Sequence, residues 1–154
     1  MEWKIKKFNQ LNILELYDIL KAREEIFIIE QECMFYDIDS KDLDAVHIFS
    51  IEGGQVACYL RILEKGVRFD EVSIGRVMTR PAYRRKGYGD QMMKKAIQYI
   101  EEVMGEDEIR ISAQTYLKSF YGNVGFEVVS DIYLEDGMDH YEMLYKRGWN
   151  SRGE

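Results

Sequence analysis

Three consecutive strand-like segments joined by very short connections constrain the fold of this chain most strongly. The first two, at 47–51 and 56–63, are apolar with β-branched residues, and Gly53-Gly54 between them tolerates the positive φ angles of a tight hairpin turn. A third, at 72–79, follows a turn around Lys65-Gly66. Strands with such short connections run antiparallel, because parallel strands need a long crossover. The sequence therefore predicts an antiparallel meander in the middle of the chain.

Helical and strand patterns flank this meander. Residues 3–8 alternate apolar and basic side chains, which indicates a short half-buried strand. A three-to-four spacing of apolar residues over 11–30 predicts a long helix capped by Asn9 or Asn12, and the acidic, irregular stretch at 30–45 predicts a loop. The remaining predicted elements are a helix at 87–104, a strand at 109–113, a short helix at 116–122 and closing strands at 126–129 and 141–145.

Composition sets the expected number of domains. The chain has 154 residues, of which 46% are apolar and 13% aromatic, enough for one sizeable core but not for two. We therefore expect a single domain over 1–147 and a frayed tail at 148–154, where no pattern remains. No stretch approaches the roughly 20 consecutive apolar residues of a membrane span, and the start Met1-Glu2-Trp3-Lys4 lacks an apolar signal region, which predicts a cytoplasmic protein.

The distribution of charge argues against nucleic acid as the ligand. The net charge is −7 and the acids are spread over the chain, whereas binding a phosphate polymer needs a basic face. One stretch, 80–95, breaks this trend with a single acid, Asp90, among six basic residues: Arg80, Arg84, Arg85, Lys86, Lys94 and Lys95. Such local asymmetry predicts a small anionic ligand. The two cysteines, Cys33 and Cys58, have no metal-ligand spacing, so we expect no metal site.

The basic stretch also has the local pattern of a phosphate-binding loop. A predicted strand ends at Thr79 and a helix begins near Gly87. The first N–H groups of a helix lack partners within it, and the aligned peptide dipoles leave about half a positive charge there, so a pyrophosphate would satisfy both. Gly87 and Gly89 lack a Cβ and let phosphate oxygens approach the main chain. The alternative is a plain surface loop with a solvated basic cluster.

Two other phosphate-binding motifs fit this stretch less well. The chain has no Gly-x-x-x-x-Gly-Lys-Ser/Thr sequence. The loop also follows an antiparallel meander, and Arg84 stands where the dinucleotide-binding fingerprint has its first glycine. We therefore do not expect nucleotide hydrolysis or dinucleotide binding.

Two motifs of the chain resemble those of one enzyme superfamily. Arg84-x-x-Gly87-x-Gly89 resembles the Arg/Gln-x-x-Gly-x-Gly/Ala signature of the GCN5-related N-acetyltransferases, the GNAT superfamily, and the later segment 120–126, Phe-Tyr-Gly-Asn-Val-Gly-Phe, is similar to the family's Tyr-x-x-x-Gly-Phe. A closer resemblance is to the ElaA-like branch. Its landmarks here are Leu20-Lys21-Ala22-Arg23, Glu30-Gln31, Ile74-Gly75-Arg76-Val77, Ala113-Gln114 and Glu135-Asp136-Gly137-Met138-Asp139-His140.

The resemblance implies both a fold and an activity. The fold is α/β of the α+β kind, with a mixed, mostly antiparallel central sheet that is splayed between its fourth and fifth strands to admit the pantetheine arm, and with helices on both faces. The activity is transfer of the acetyl group of acetyl-CoA to a primary amine of a small molecule or protein, by direct attack in a ternary complex. The alternative is a non-catalytic acyl-CoA-binding module. The acceptor and the oligomeric state, a homodimer included, stay open.

The same resemblance assigns residues to the cofactor. By position, the backbone of 85–90 holds the pyrophosphate, the main chains of Val77 and Thr79 pair with pantetheine amides, and Tyr121 faces the sulfur. Gln114 stands where many relatives have an asparagine that contacts the cofactor. The predicted cofactor-binding residues are Val77, Met78, Thr79, Arg84, Arg85, Lys86, Gly87, Tyr88, Gly89, Asp90, Gln114 and Tyr121.

Direct attack by an amine requires two proton transfers. An amine of pKa ~10.4 is neutral at pH 7 only about once in 2,500 molecules, a penalty of about 4.6 kcal/mol, so a deprotonating route is needed. We predict that Tyr121 protonates the leaving thiolate, a step uphill by about 2 kcal/mol in the reference state. The alternative for Tyr121 is aromatic packing between two helices.

The general base is harder to assign. Relatives often place a glutamate on the fourth strand, but Ser73 occupies that position here, and Glu71 lies two residues earlier. His140 is a second candidate, because a histidine titrates in the right range and this one follows an acidic loop. The alternatives are a satisfied surface histidine and an ordered water chain.

Four further residues are predicted to line the acceptor cleft: Glu30, Gln31, Arg76 and Asp136. For Arg76 two interpretations stay open, binding of an acceptor carboxylate or pairing with a buried acid. Gly75 beside it lies in the middle of a predicted strand, which indicates a bulge or a close backbone approach.

Overall fold

This computed structural model describes residues 1–149 of the chain. They contain eight strands and three α-helices, together with shorter helical turns and loops. The strands are β1 (Glu2–Lys7), β2 (Val46–Glu52), β3 (Gln55–Leu63), β4 (Ser73–Thr79), β5 (Glu108–Gln114), β6 (Glu127–Val128), β7 (Tyr133–Glu135) and β8 (Met138–Lys146). The helices are α1 (Ile13–Arg23), α2 (Tyr88–Glu102) and α3 (Lys118–Gly122). Most of the tail predicted at 148–154 lies outside the described residues. Among the helices described, none has the length and apolar character to cross a membrane.

The strands form two sheets in which every neighbouring pair is antiparallel. One sheet has the order β1-β2-β3-β4, and the other has the order β5-β8-β6, with β7 also paired to β8. The meander predicted from the short connections is therefore confirmed as β2, β3 and β4. The glycine turn brings Glu52 opposite Gln55, and the register continues to Val46 opposite Ile62.

The two sheets meet at one end of β4 and β5. Val72, immediately before β4, forms a parallel bridge with Ile109, and the Arg110 N–H donates to the Val72 carbonyl at 2.9 Å. Within residues 1–149 no other bridge joins these two strands, so they separate towards Thr79 and Gln114. The predicted α/β fold, with a mostly antiparallel sheet splayed between the fourth and fifth strands, is confirmed.

Helices cover both faces of the first sheet. Ile48 and Leu60 lie opposite each other and pack with α2, which contributes Met92, Met93, Ala96, Ile97 and Ile100 to the larger core. Phe49 and Tyr59 are the next pair in the register and point to the other face, where α1 contributes Ile19 and Ala22. This alternation follows from the two-residue period of a strand. The predicted helices on both faces are confirmed.

The first helix begins at a capping box and changes its winding before it ends. Asn12 Oδ1 accepts from the Glu15 N–H at 2.8 Å, and Glu15 Oε1 accepts from the Asn12 N–H at 2.9 Å. After Arg23 the chain continues as a π-helical segment, Glu24–Glu30. The helix predicted over 11–30 does end at Glu30, but its second half is wound as a π-helix. The wider winding keeps Ile26 in the α1 core and leaves Glu30 exposed.

A hairpin of β7 and β8 closes the second sheet. The strand predicted at 141–145 is longer than expected, because β8 begins at Met138 and pairs with β7. Asp136 and Gly137 between them have φ angles of 52° and 76°, the positive values that a two-residue hairpin turn requires. The strand predicted at 126–129 is shorter than expected and spans only Glu127–Val128.

A buried cluster of opposite charges fixes the predicted loop at 30–45. Its members, which we call the Arg–Asp cluster, are Arg23, Arg61, Arg76, Asp37, Asp39 and Asp42. Arg23 and Arg61 share Asp42, with nitrogen–oxygen distances of 2.7 and 3.0 Å. Burial alone would raise the pKa of Asp42, but the hydrogen bond from Arg23 and both guanidinium charges lower it. Each buried charge thus has a partner of opposite sign.

We expect Asp42→Ala to lower the free energy of unfolding by about 3–5 kcal/mol, because it leaves two buried guanidinium groups without their shared carboxylate. Urea denaturation followed by circular dichroism measures the change. Asp44→Ala is the control, because Asp44 is exposed on the same short 3-10 turn. Its effect should stay within about 0.5 kcal/mol, and equal losses for both variants would contradict the role of the cluster.

Candidate active site

The connection between β4 and α2 presents a row of unpaired backbone N–H groups. Arg85 and Gly87 have φ angles of 64° and 81°, and α2 begins at the next residue, Tyr88. The first hydrogen bond of this helix runs from the Gln91 N–H to the Gly87 carbonyl at 3.1 Å. No described residue accepts a hydrogen bond from the N–H groups of 85–90. These donors and the positive end of the helix dipole suit a phosphate group.

Glycine occupies the two positions 87 and 89 of this loop for different structural reasons. Gly87 adopts a left-handed conformation, and a Cβ there would meet no atom within 4 Å, so the approach to its main chain is open. Gly89 has an ordinary backbone conformation, but a Cβ there would lie 3.0 Å from Cε1 of Phe120. The missing side chain at Gly89 therefore makes room for the ring of Phe120, a packing role that the sequence did not predict.

The basic residues of the loop divide into paired and unpaired groups. Arg84 donates to the Thr79 carbonyl at 2.8 Å and binds both carboxylate oxygens of Glu30 at 2.7 and 3.0 Å. The hydrogen bond from Arg84 lowers the pKa of Glu30. Arg85 and Lys86 are exposed and form no ion pair with any residue in 1–149. The free positive charge next to the unpaired N–H groups therefore comes from Arg85 and Lys86. Arg84 instead links the loop to the end of the π-helical segment.

Strand β4 contains a bulge beside the opening between the sheets. Tyr59 lies opposite Met78 whereas Arg61 lies opposite Gly75, so β4 has one more residue than β3 across this stretch. Arg76 is the residue in the left-handed region, with a φ of 52°. The bulge predicted at Gly75 is confirmed, with Arg76 as its strained residue.

Arg76 pairs with a buried acid of the Arg–Asp cluster. Its Nε lies 2.7 Å from Asp37 Oδ1, and its guanidinium carbon lies 5.3 Å from the ring centroid of Phe35. Of the two interpretations left open for this arginine, pairing with a buried acid is the one observed. Arg76 therefore ties the bulge of β4 to the segment after the π-helical residues.

The three predicted cofactor residues of β4, Val77, Met78 and Thr79, have different surroundings. The Met78 side chain is buried in the α1 core, and Met78 lies opposite Tyr59 of β3. Val77 packs against the opposite, larger core. The Thr79 carbonyl accepts from Arg84 but retains a second lone pair.

Tyr121 lies in an aromatic cluster close to the connection between β4 and α2. Its ring centroid is 5.0 Å from that of Phe120, which contacts Gly89, and 6.0 Å from that of Phe126. Burial, with a smaller contribution from Tyr116, raises the pKa of Tyr121 well above its usual range. No described residue forms a hydrogen bond with its hydroxyl group. Tyr121 therefore keeps its proton and has a free donor, although burial makes it a weaker acid than the reference value suggests.

Residues from three distant segments meet at the open end of β5. Gln114 Nε2 donates to Gln31 Oε1 at 3.4 Å and lies 3.6 Å from Met138 Sδ. Cys33 Sγ donates to the Asp136 carbonyl at 3.2 Å. Gln114 Oε1 is buried and has no hydrogen-bond partner among the described residues. The structure thus brings together Gln31, Gln114 and Asp136 of the predicted site, and adds Cys33 and Met138, which were not among the predicted site residues.

His140 lies directly opposite Gln114 on β8. It is only 6% exposed, so it is not a surface histidine. Its Nδ1 lies 2.8 Å from the Met138 carbonyl, which can only accept, so Nδ1 carries the proton and the neutral ring has its lone pair on Nε2. That Nε2 lies 3.9 Å from a carboxylate oxygen of Glu135.

Glu135 is held by Ser112 on β5 and by Arg68 in the connection between β3 and β4. Ser112 Oγ donates to it at 3.0 Å, and Arg68 binds the same oxygen at 2.5 Å. Burial alone would raise the pKa of Glu135, but Arg68 and Ser112 lower it below its ordinary value. Glu135 and His140 lack a third ligand, since no group of three or more His, Cys, Asp or Glu in 1–149 could hold a metal ion.

Glu71 lies apart from these residues. Both of its carboxylate oxygens bind Arg110 at 3.1 Å, and this hydrogen bond lowers the pKa of Glu71. Arg110 precedes Gln114 by four residues on β5, about 13 Å along an extended strand. The structure therefore places Glu71 near the joined end of the two sheets and His140 at the open end.

A groove of about 820 Å³ lies between α1 with its π-helical continuation and the segment 34–38. Tyr17, Leu20 and Ile28 line one wall, and Met34, Tyr36 and Ile38 line the other. The second wall directly follows Cys33, so the groove and the contacts around Gln114 share one segment of chain.

Comparison with known proteins identifies the family of this chain. A family profile described as "Acetyltransferase (GNAT) domain" matches residues 20–147. The chain belongs to the GNAT acetyltransferase family. A UPF0039 protein of Schizosaccharomyces pombe is 36% identical over 145 residues, which cover 93% of this chain and 95% of that protein.

Two solved structures are similar over nearly the whole chain. Escherichia coli ElaA has 33% identity and a TM-score of 0.88, covering 94% of this chain and 99% of that one. An acyl-CoA N-acyltransferase from Pseudomonas aeruginosa has 35% identity and a TM-score of 0.87, with the same two coverages. The resemblance of this GNAT chain to the ElaA-like branch is confirmed, and family and fold together support acyl-CoA-dependent acyl transfer.

We expect Gly87→Asp to weaken coenzyme A binding about tenfold more than Gly87→Asn, because it places a negative charge beside the phosphate groups. The two side chains have nearly equal size and both tolerate a left-handed backbone, so backbone strain and steric blocking are matched. Isothermal titration calorimetry at low salt measures both affinities. Equal dissociation constants would contradict the assignment of this loop.

Proposed function

We propose that this GNAT protein is an N-acetyltransferase that moves the acetyl group of acetyl-CoA to a primary amine of a small molecule or protein. The reaction is direct attack within a ternary complex. One observation carries the proposal: the row of unpaired N–H groups at 85–90 stands at the end of β4 where β4 and β5 have separated. A diphosphate on that row would leave the attached arm free to enter the opening.

The residues of the chain fit the cofactor. Bound acetyl-CoA would supply a thioester, which is an activated acyl group. The N–H groups of 85–90, with Arg85 and Lys86, would hold its pyrophosphate. The open edge of β4 would offer the main chains of Val77 and Thr79 to the pantetheine amides, and the bulge at Arg76 turns this edge locally.

Tyr121 is the proposed proton donor to the leaving thiolate. Its hydroxyl group is protonated over a wide pH range and has no partner within the described chain. Its ring is held through Phe120 against the start of α2. Such packing fixes the hydroxyl group without using its hydrogen-bonding capacity, which favours the catalytic role over packing alone.

Between the two candidate bases, the contacts favour His140. Glu71 is bound at both oxygens by Arg110 and its pKa is lowered, which makes it a weak base. His140 has its tautomer fixed by the Met138 carbonyl, and its basic Nε2 lies close to Glu135. That nitrogen has no hydrogen-bond donor among the described residues, so it is available to take a proton.

The second candidate function is a non-catalytic acyl-CoA-binding module. Two observations favour it: burial weakens Tyr121 as an acid, and Ser73 occupies the strand position where relatives often carry a glutamate. Such a module would bind acetyl-CoA through the same loop and would release no thiol in the presence of amines.

We expect wild-type protein to release free thiol from acetyl-CoA with at least one amine of a panel of spermidine, phenethylamine, glucosamine and Nα-acetyl-lysine methyl ester. Tyr121→Phe should lower kcat about 100-fold without changing the KM for acetyl-CoA, because it removes only the proton donor. Tyr116→Phe is the matched control on the same segment, since Tyr116 is 72% exposed, and it should retain wild-type kcat. Saturable coenzyme A binding without thiol release from any amine would favour the non-catalytic module.

The base assignment gives a second kinetic expectation. His140→Asn can keep a donor to the Met138 carbonyl but lacks Nε2, so kcat should fall about 100-fold. Glu71→Gln should keep kcat within about threefold, because Glu71 lies near the joined end of the two sheets, away from the open end where His140 lies. Steady-state kinetics with the best amine of the panel measures both, and the reverse order of effects would make Glu71 the base.

A further inference from the structure

We infer that Gln114 Oε1 binds the nitrogen of the acceptor amine and holds it beside His140. The resemblance assigns Gln114 to the cofactor, so this inference gives the residue a different role. It rests on the proposed N-acetyltransferase activity and adds where the acceptor nitrogen lies and what recognises it.

The buried amide of Gln114 is only half used. Nε2 donates to Gln31 and contacts Met138, which fixes the amide orientation and directs Oε1 away from both. Oε1 has no partner among the described residues although it is buried. A buried carbonyl oxygen without a donor costs free energy, and a ligand N–H would remove that cost. The group that fits is therefore a hydrogen-bond donor.

A second acceptor stands beside this oxygen. Gln114 and His140 are register partners on β5 and β8, so their side chains leave the same face of the sheet. The neutral ring of His140 has its lone pair on Nε2, with the carboxylate of Glu135 3.9 Å away. Two uncharged acceptors with a nearby negative charge match a protonated primary amine, which has three N–H donors.

Two different N–H groups are candidate donors to Gln114 Oε1. One belongs to the acceptor nitrogen and the other to a pantetheine amide of the cofactor. The surroundings favour the acceptor nitrogen. Gln31 and Cys33 follow the π-helical segment, and Asp136 and Met138 belong to the β7–β8 hairpin, so none of these neighbours comes from the phosphate-binding loop or from β4.

In the proposed reaction the acceptor nitrogen loses two protons, one C–N bond forms and one C–S bond breaks. The ammonium group gives one proton to His140 Nε2, which becomes an imidazolium ion beside Glu135. The neutral amine donates one remaining N–H to Gln114 Oε1 and directs its lone pair at the thioester carbonyl carbon. A C–N bond forms, the C–S bond breaks, and the thiolate takes its proton from Tyr121. The nitrogen loses its second proton to solvent as the amide forms. Solvent in turn gives a proton back to the tyrosinate oxygen of Tyr121.

The test compares two variants of Gln114. Gln114→Met keeps the length of the side chain but has no acceptor oxygen, so the KM for the best amine of the panel should rise about tenfold or more, as for a lost hydrogen bond to a charged group. Its dissociation constant for coenzyme A should stay within about twofold of wild type, which also shows that the variant is folded. Gln114→Glu keeps an acceptor oxygen and should bring the amine KM to within about threefold of wild type.

Gln31→Met is the matched control for the lost amide–amide hydrogen bond. It removes the partner of Gln114 Nε2 but keeps Gln114 Oε1, so its increase in amine KM should be smaller than that of Gln114→Met. If Gln114→Met weakens coenzyme A binding and leaves the amine KM unchanged, Gln114 contacts the cofactor and the inference is wrong. If wild-type protein acetylates none of the four amines, the proposed function and this inference both fail.

Discussion

The rest of the site depends on the single junction between β4 and β5. The two strands share the bridge at Val72 and Ile109 and then separate, so one edge of β4 has main-chain groups without a strand partner in the described chain. Such an edge is unfavourable unless something covers it. The connection between β4 and α2, the proposed phosphate-binding loop, begins where β4 ends, and Gln114 stands where β5 ends. One divergence therefore produces both the proposed cofactor opening and the place where the acceptor would meet it.

The Arg–Asp cluster connects β4 to α1 and to the segment that follows the π-helical residues. Arg76 occupies the bulge of β4 and binds Asp37, while Arg23 of α1 binds Asp37 and Asp42. The segment that carries Gln31 and Cys33 is therefore anchored to the strand proposed to bind pantetheine through charged side chains. An acidic stretch without regular structure, which the sequence indicates only as a loop, is ordered because its acids neutralise buried arginines.

The predictable parts of the molecule are those that depend on neighbours in the chain. The meander, α2 and the left-handed Gly87 follow from local periodicity and glycine placement, and the fold followed from the family motifs. The contacts of Gln31 with Gln114 and of Cys33 with Asp136 join residues 83 and 103 positions apart, and no local pattern encodes them. The β7–β8 hairpin did have a local signal, the Asp136-Gly137 pair, which the acidic character of its surroundings obscured.

The contact beside Gly89 gives the two glycines of the family motif different structural roles. Its first glycine, Gly87, adopts a backbone conformation that few other residues tolerate, whereas the second accommodates the ring next to Tyr121. A larger residue at position 89 would press on Phe120, the aromatic neighbour of the proposed acid. Conservation of that second small residue in a set of homologues would then measure a constraint on α3, and motif searches that score it as evidence of nucleotide affinity would credit the wrong interaction.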